Sequence, residues 1–319
     1  MNRWILLLIG VLPLAGCGAA ADVSDAEKQT LSAVATTGPV GDALRRLAGE
    51  RIEVNVLMGP GVDPHLYREK PSDMIALAQA SVVVHNGLHL EGRLADVLEG
   101  MAKKKTVISM AGGLETAHDP RLISPEGYDT LHDPHVWHDV RLWSECVQHL
   151  CDQLVEFDPD GAEQYRARCE TFRKQLDDLH AYCVNRLSEV PEQQRLLVTA
   201  HDAFAYFSRA YGLESVGLKG VSTEDEIDLG RMQQVVDLLV ERRVPAVFVE
   251  SAVAPKVVEA LVEPAAERGH TLRIGGELYA DAMGPTGSGA DDYLGMIRAN
   301  VETIASALQS PATAEEPTP

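Results

Sequence analysis

The sequence predicts an α/β protein: two βα-type lobes with parallel-rich sheets, joined by one long rigid helix. Three observations carry this prediction. In both halves of the chain, short apolar runs bounded by Gly and Pro alternate with amphipathic stretches of helical period, the pattern of strands and crossover helices. Between the halves, residues 161–189 contain no internal Gly or Pro. There Tyr165, Phe172, Leu176, Leu179, Tyr182 and Leu187 recur at roughly helical spacing, which gives a helix of about 40 Å at 1.5 Å per residue. Finally, 319 residues, of which 45% are hydrophobic, suffice for two cores at about 100–200 residues each.

Taken in order, the first-half runs predict strands at 32–36, 52–57, 81–84 and 106–109 and helices near 41–48, 71–79 and 91–101. The second half predicts strands at 195–199, 214–217, 246–249 and 272–274, with helices near 203–210, 229–242, 255–268 and 291–308. The domains are then an N-terminal lobe over 31–157, a linking helix within 158–190 and a C-terminal lobe over 191–308. A continuous helix between lobes favours a small tilt over wide hinge closure. The Pro/Glu/Thr-rich end, 309–319, reads as disordered.

The ends and the charge bound the function. Arg3 and the apolar run 4–14, too short to span a bilayer comfortably, read as a signal peptide over 1–17. Leu14-Ala15-Gly16-Cys17 looks like a lipobox, which makes Cys17 the expected lipidation site and 18–30 a tether, an uncleaved apolar anchor being the alternative. No later segment reads as a membrane span. Lys plus Arg number 28 against 48 Asp plus Glu, a net charge of -20 that excludes a nucleic acid partner.

Two Asp-Pro-His units, 63–65 and 133–135, fix the backbone just before a histidine and place a carboxylate within reach of it. His201 follows an apolar strand, at the carboxyl end where open α/β sheets bind ligands. Asp281 lies in a loop beyond the strand near Ile274, where a turn or helix cap is the commoner fate of an aspartate. If they met, His65, His135, His201 and Asp281 would make a four-coordinate nitrogen and oxygen metal site. Spacing alone does not show that they converge.

At this point the chain resembles a known family. Gly59–His65, Asn86–Gly92, Asp133–Trp137, Ala200–Phe207, Gly220–Thr223, Phe248–Ser251, Asp281–Gly284 and Tyr293–Met296 stand in an order similar to that of the metal-binding lipoproteins of bacterial ABC importers for zinc, manganese and sometimes iron. These are the family 9 solute-binding proteins, here of the TroA type. The resemblance runs from about Val34 to about Leu308. It implies that His65, His135, His201 and Asp281 ligate one Zn2+ or Mn2+, two from each lobe, in the cleft between them. It also implies delivery to a membrane permease driven by a cytoplasmic ATPase, by a monomer held to the membrane through lipid on Cys17.

The chain departs from the family pattern at His138, where an apolar residue is usual; a partly exposed histidine is expected there, with an alternative ligand as the second reading. His118 and His132 lie where some zinc-specific relatives carry a long His-rich tract that this loop lacks. Glu250, Asp63 and Asp133 are candidates to orient the ligand histidines, strand-end or loop carboxylates being the alternative. Among the cysteines after Cys17, Cys169 and Cys183 are too far apart on one helix to bridge, as are Cys146 and Cys151. If the helix near 142–155 doubles back onto the long helix, Cys146 and Cys169 are the pair left, against free buried thiols.

A capture protein fills the first shell of the ion with side chains. A secreted metallohydrolase would keep a water on the metal with Glu250 or Glu226 as base, but no His-Glu-x-x-His stretch, nucleophile elbow or phosphate loop supports one. An adhesion lipoprotein is the other alternative, which no repeat or exposed aromatic surface favours.

Overall fold

Residues 31–125, 131–227 and 229–309 are described by the computed structural model of the chain. The first half alternates β1 (Leu31–Ala35), α1 (Gly38–Ala48), β2 (Ile52–Val56), α2 (Pro71–Gln79), β3 (Val82–His85), α3 (Ala95–Ala102) and β4 (Thr106–Ser109). The strands lie in the order β2-β1-β3-β4 with every neighbouring pair parallel. Val82, Val83 and Val84 of β3 are fully buried, as an inner strand covered on both faces requires. Proline opens α1 and α2, where its missing N–H has no partner to lose.

After α4 (Gly112–Thr116), the helices α5 (Val140–Phe157) and α6 (Ala162–Ser188) form a hairpin around the short turn Pro159–Gly161. Asp139 caps α5, accepting hydrogen bonds from the backbone N–H of Arg141 and Leu142. α6 is the long helix expected from the sequence, about 40 Å at its 27 residues. One stripe of it is buried, Tyr165, Cys169, Phe172, Leu176, Leu179, Cys183 and Leu187, and it packs on α1, α5, α7 and α11.

The second half runs β5 (Leu196–Thr199), α7 (Ala205–Tyr211), β6 (Glu214–Gly217), α8 (Leu229–Arg242), β7 (Ala246–Glu250), α9 (Lys256–Glu259), α10 (Val262–Glu267), β8 (Arg273–Leu278) and α11 (Tyr293–Gln309). β5 pairs with β6 and β7 with β8, both in parallel, and β5 lies against β7. These are two two-stranded sheets with β5 beside β7, so the strands succeed one another as β6-β5-β7-β8, the same succession as in the first half. Each half therefore has a point between its first and third strands where the order reverses, and ligands of α/β sheets bind at the carboxyl ends of such strands.

Two expectations fail for local reasons. The helix expected over 255–268 is broken into α9 and α10, because Pro264 is tolerated only in a first turn and the helix restarts at Val262 to place it there. The strand expected over 272–274 extends to Leu278, with an irregular register beside Val247 and Phe248. The expectations for the signal peptide, Cys17, the tether and the tail beyond Gln309 lie outside the described residues. Among the described residues no helix is long and apolar enough to cross a membrane.

Candidate metal centre

Four loops bring four side chains together. His65 follows β2, His135 precedes α5, His201 follows β5 directly, and Asp281 lies just past β8. One ligand atom from each lies within 4.8 Å of the others. His135 Nε2 stands 3.3 Å from His65 Nε2 and 3.4 Å from His201 Nε2. Asp281 Oδ1 is 3.3 Å from His135 Nε2, and Oδ2 is 3.3 Å from His201 Nε2 and 3.8 Å from His65 Nε2. A tetrahedron drawn around a metal at 2.0–2.1 Å from its ligands has edges of about 3.3 Å; the separations among His135, His201 and Asp281 and between His65 and His135 match it, while His65 stands wider from Asp281.

The chemistry of the carboxylate points the same way. Both oxygens of Asp281 are buried and neither accepts a hydrogen bond, which leaves a charge away from water with no donor of good geometry. Each oxygen faces an imidazole, and an ion seated among them could take one or both. His135 and His201 are wholly buried, whereas His65 is 7% exposed and is the member of the cluster that lines a cavity of about 280 Å³ with His89, His132 and Glu224.

Hydrogen bonds fix the imidazoles. His135 Nδ1 is 2.7 Å from Asp133 Oδ1, and His201 Nδ1 is 2.5 Å from Glu250 Oε2. Glu250 ends β7, across the order reversal from β5, and its Oε1 also accepts the backbone N–H of His201. In both rings the carboxylate at Nδ1 leaves the Nε2 lone pair for the centre. Asp63 acts differently, holding the backbone N–H of His65 and not its ring, while its second oxygen accepts from Thr223 across the cleft at 2.6 Å.

Burial pushes His65 down to about 3 despite the attraction of Asp281. At His135 burial is outweighed by the charge and hydrogen bond of Asp133, with help from Asp281, which raises it to about 9. At His201 burial is outweighed by Glu250 and Asp281, which hold it well above the usual imidazole value. Burial likewise raises Asp281, but His201, His135 and His65 together hold it well below the carboxylate range. An electron-rich pocket of this kind, three imidazoles and a carboxylate with two more carboxylates behind, suits a divalent transition metal.

Residues 33–307 match the family described as zinc-uptake complex component A, periplasmic (ZnuA). The chain belongs to the ZnuA family. It is 41% identical over 303 residues to the manganese-binding lipoprotein MntA of Bacillus subtilis (strain 168), covering 95% of this chain and 97% of that one. It is 40% identical over 275 residues to the zinc-binding protein TroA of Treponema pallidum (strain Nichols), covering 86% and 88%. The solved structure of the periplasmic zinc-binding protein TroA from Treponema pallidum superposes with a TM-score of 0.83 at 39% identity, covering 88% of this chain and all of that one.

Within this ZnuA-family site, the structure corrects the reading of His138. It is fully buried, stacked on Phe204 at 4.5 Å, and lies outside the four-residue cluster. Burial pushes it down to about 3, so the ring is neutral, and its Nε2 stands 3.0 Å from Ala280 O, which Trp137 Nε1 also reaches at 3.0 Å. These two side chains tie the segment before Asp281 to the segment after His135. His118 and His132 also stand outside the cluster, His132 with its Nδ1 3.1 Å from Ser124 Oγ.

Other supports were not foreseen. Asn86 Nδ2 donates to Pro134 O at 2.9 Å, and Tyr206 Oη donates to Asp133 O at 2.9 Å, so both fix the loop that carries His135. Glu91 accepts from the backbone N–H of Asn86 and from Thr36 Oγ1. Gly87 adopts φ 89°, and a Cβ there would meet Ser109 Oγ at 2.1 Å. Asn86, Glu91 and Tyr206 all fall inside the motifs that carry the family resemblance, but their partners Pro134, Thr36 and Asp133 are distant in sequence and no local pattern names them.

Proposed function

We propose that this chain captures one zinc or manganese ion through His65, His135, His201 and Asp281 and hands it to the permease of an ABC importer. As a member of the ZnuA family it is a metal-binding solute-binding protein of such an importer and not an enzyme. Relatives named lipoproteins support an extracytoplasmic, membrane-attached location. The finer reading is a monomer anchored by lipid on Cys17.

The observation that carries the ligand assignment is the set of 3.3–3.4 Å separations around one point, with both Asp281 oxygens lacking donors. Four protein donors leave no open position for an activated water, and Glu250, the nearest candidate base, already holds His201 with both oxygens. Glu250 is therefore engaged as a support of His201 and not free as the base of a hydrolytic reading. Such a nitrogen-rich site should hold zinc more tightly than manganese, following the general affinity order, while the carboxylate supplies the hard oxygen that manganese favours.

The test is metal content by mass spectrometry after stripping and re-equilibration with zinc, manganese and iron(II) in competition. One ion per chain is expected, with His135→Ala and Asp281→Ala reducing affinity by orders of magnitude while retaining the circular dichroism of the parent. Parental affinity in both variants would reject the assignment.

A further inference from the structure

Outside the metal centre, the hairpin of α5 and α6 holds a pair of thiols that its register sets side by side. Arg173 of α6 fixes that register, Nε donating to Ser144 Oγ at 3.1 Å and Nη1 to Gln148 Oε1 at 2.8 Å. Gln148, eleven residues before Pro159, is nearly level with Arg173, twelve after Gly161, and Ser144 lies about one turn beyond it. By the same count Cys151 is level with Cys169, seven residues before Asp158 and eight after Gly161. The Cys169 thiol reaches Val147 O at 3.9 Å and Gln148 Oε1 at 3.8 Å, and Val147 lies one helical turn before Cys151 on α5. Cys151 and Cys169 are both buried and both line the same pocket between the two helices.

Cys146, the partner expected for Cys169 from the sequence, is placed elsewhere. It lies more than a turn further along α5 and lines a different pocket, with Met110, Leu114 and Glu145. The four described cysteines are free and buried, the alternative the sequence reading set against a Cys146–Cys169 bond, and that bond is not made. Cys151 and Cys169 instead line one open pocket of about 780 Å³ together with Arg166, Arg173 and Lys174. That pocket, which Glu170 and Asp177 also line, gives a small oxidant a route to the thiols.

We propose that Cys151 and Cys169 are a site of covalent modification, forming a disulfide that staples α5 to α6 when the chain meets a disulfide oxidant. Cys151 gives up its proton and its thiolate attacks one sulfur of the oxidant, whose S–S bond breaks. The first oxidant thiol leaves with that proton, and a mixed disulfide remains on Cys151. Cys169 then gives up its proton and attacks Cys151 Sγ, releasing the second oxidant thiol. Two protein thiols are oxidised and one oxidant disulfide is reduced to two thiols. The guanidinium groups of Arg166 and Arg173, which line the pocket with both sulfurs, favour the thiolate that attacks.

The occurrence of this bond in the cell rests on the extracytoplasmic reading given above; the pairing itself does not. The reduced full chain is exposed to glutathione disulfide under native conditions, remaining thiols are blocked, and the protein is cut with trypsin. The expected product joins the peptide 142–166 to the peptide 169–173. Because 142–166 carries both Cys146 and Cys151, the link must persist in Cys146→Ser and vanish in Cys151→Ser, each variant still binding one metal ion. Separate peptides from the oxidised native chain, or a link that survives Cys151→Ser, would overturn the proposal. A second arm blocks thiols in living cells before lysis. Linked peptides there support both readings, whereas free thiols in the cell beside linkage in vitro would uphold the pairing and count against the extracytoplasmic location.

Discussion

Glu250 and Asp133 show how much of the candidate metal centre is built one step behind the four residues proposed as ligands. Each holds one imidazole by Nδ1, so removing either leaves the ring present but free to turn. Glu250→Ala should lower zinc affinity about 10–100-fold without unfolding the chain. Competition against a fluorescent chelator measures this, and an unchanged affinity would mean that β7 positions His201 by packing alone. The same carboxylates set the proton balance. In the metal-free chain His65, drawn down to about 3, is neutral at pH 7, while His135, raised to about 9, and His201, raised further than burial can offset, keep their protons. An incoming dication replaces those protons and leaves the buried charge nearly unchanged. Metal entry at neutral pH should then release about two protons, so affinity rises with pH up to about 9 and falls as the solution is acidified. Calorimetry in buffers of different ionisation enthalpy reads the number directly, and heats independent of buffer would contradict it.

At the scale of elements, the loop at 219–226 grips the loop of His65 across the cleft. Thr223, buried, donates to Asp63 at 2.6 Å, and Glu224, exposed, meets Arg93 at the rim. A buried hydrogen bond to a carboxylate contributes about 1.5–3 kcal/mol, an exposed ion pair about 0–1 kcal/mol. Thr223→Val should therefore speed metal release about tenfold or more, and Glu224→Ala much less. Chelator-triggered stopped flow separates the two; equal effects would show that the rim and not the buried bond retains the ion. These loops also mark where sequence reading stops. Strand and helix positions followed from apolar period, but a contact between residues 63 and 223 has no local trace.

For the whole molecule, α6 is the element that limits motion. It packs on α1 and α5 at one end and on α11 at the other, where Arg186 bonds Glu302 and Gln309. Its Arg168 also donates to Ala48 O at the end of α1. A strut gripped at both ends permits a tilt and resists a swing. Scattering from metal-free and metal-loaded protein should accordingly give radii of gyration near 20 Å that differ by less than about 1 Å. A larger change would require α6 to bend or its packing to open. Loading should also stabilise the fold, by about 2.7 kcal/mol at a hundredfold excess of free ion over the dissociation constant.

The sequence by itself determined the α/β class, the long helix and the four residues nominated as ligands, because apolar period and strand-end position are local properties that each segment carries. It also nominated Glu250 and Asp133, which stand at the imidazoles they were nominated to orient. Only the tertiary structure decided which of the remaining groups meet. His138 reads as partly exposed until Phe204 and Ala280 close over it, and Cys151 and Cys169 have no visible relation until the hairpin brings both to one pocket. Asn86 and Tyr206 have no visible role until the Asp133 loop lies between them. The reason is the same in each case: burial and hydrogen bonding between residues tens of positions apart depend on how the elements pack, and packing is a property of the folded chain as a whole.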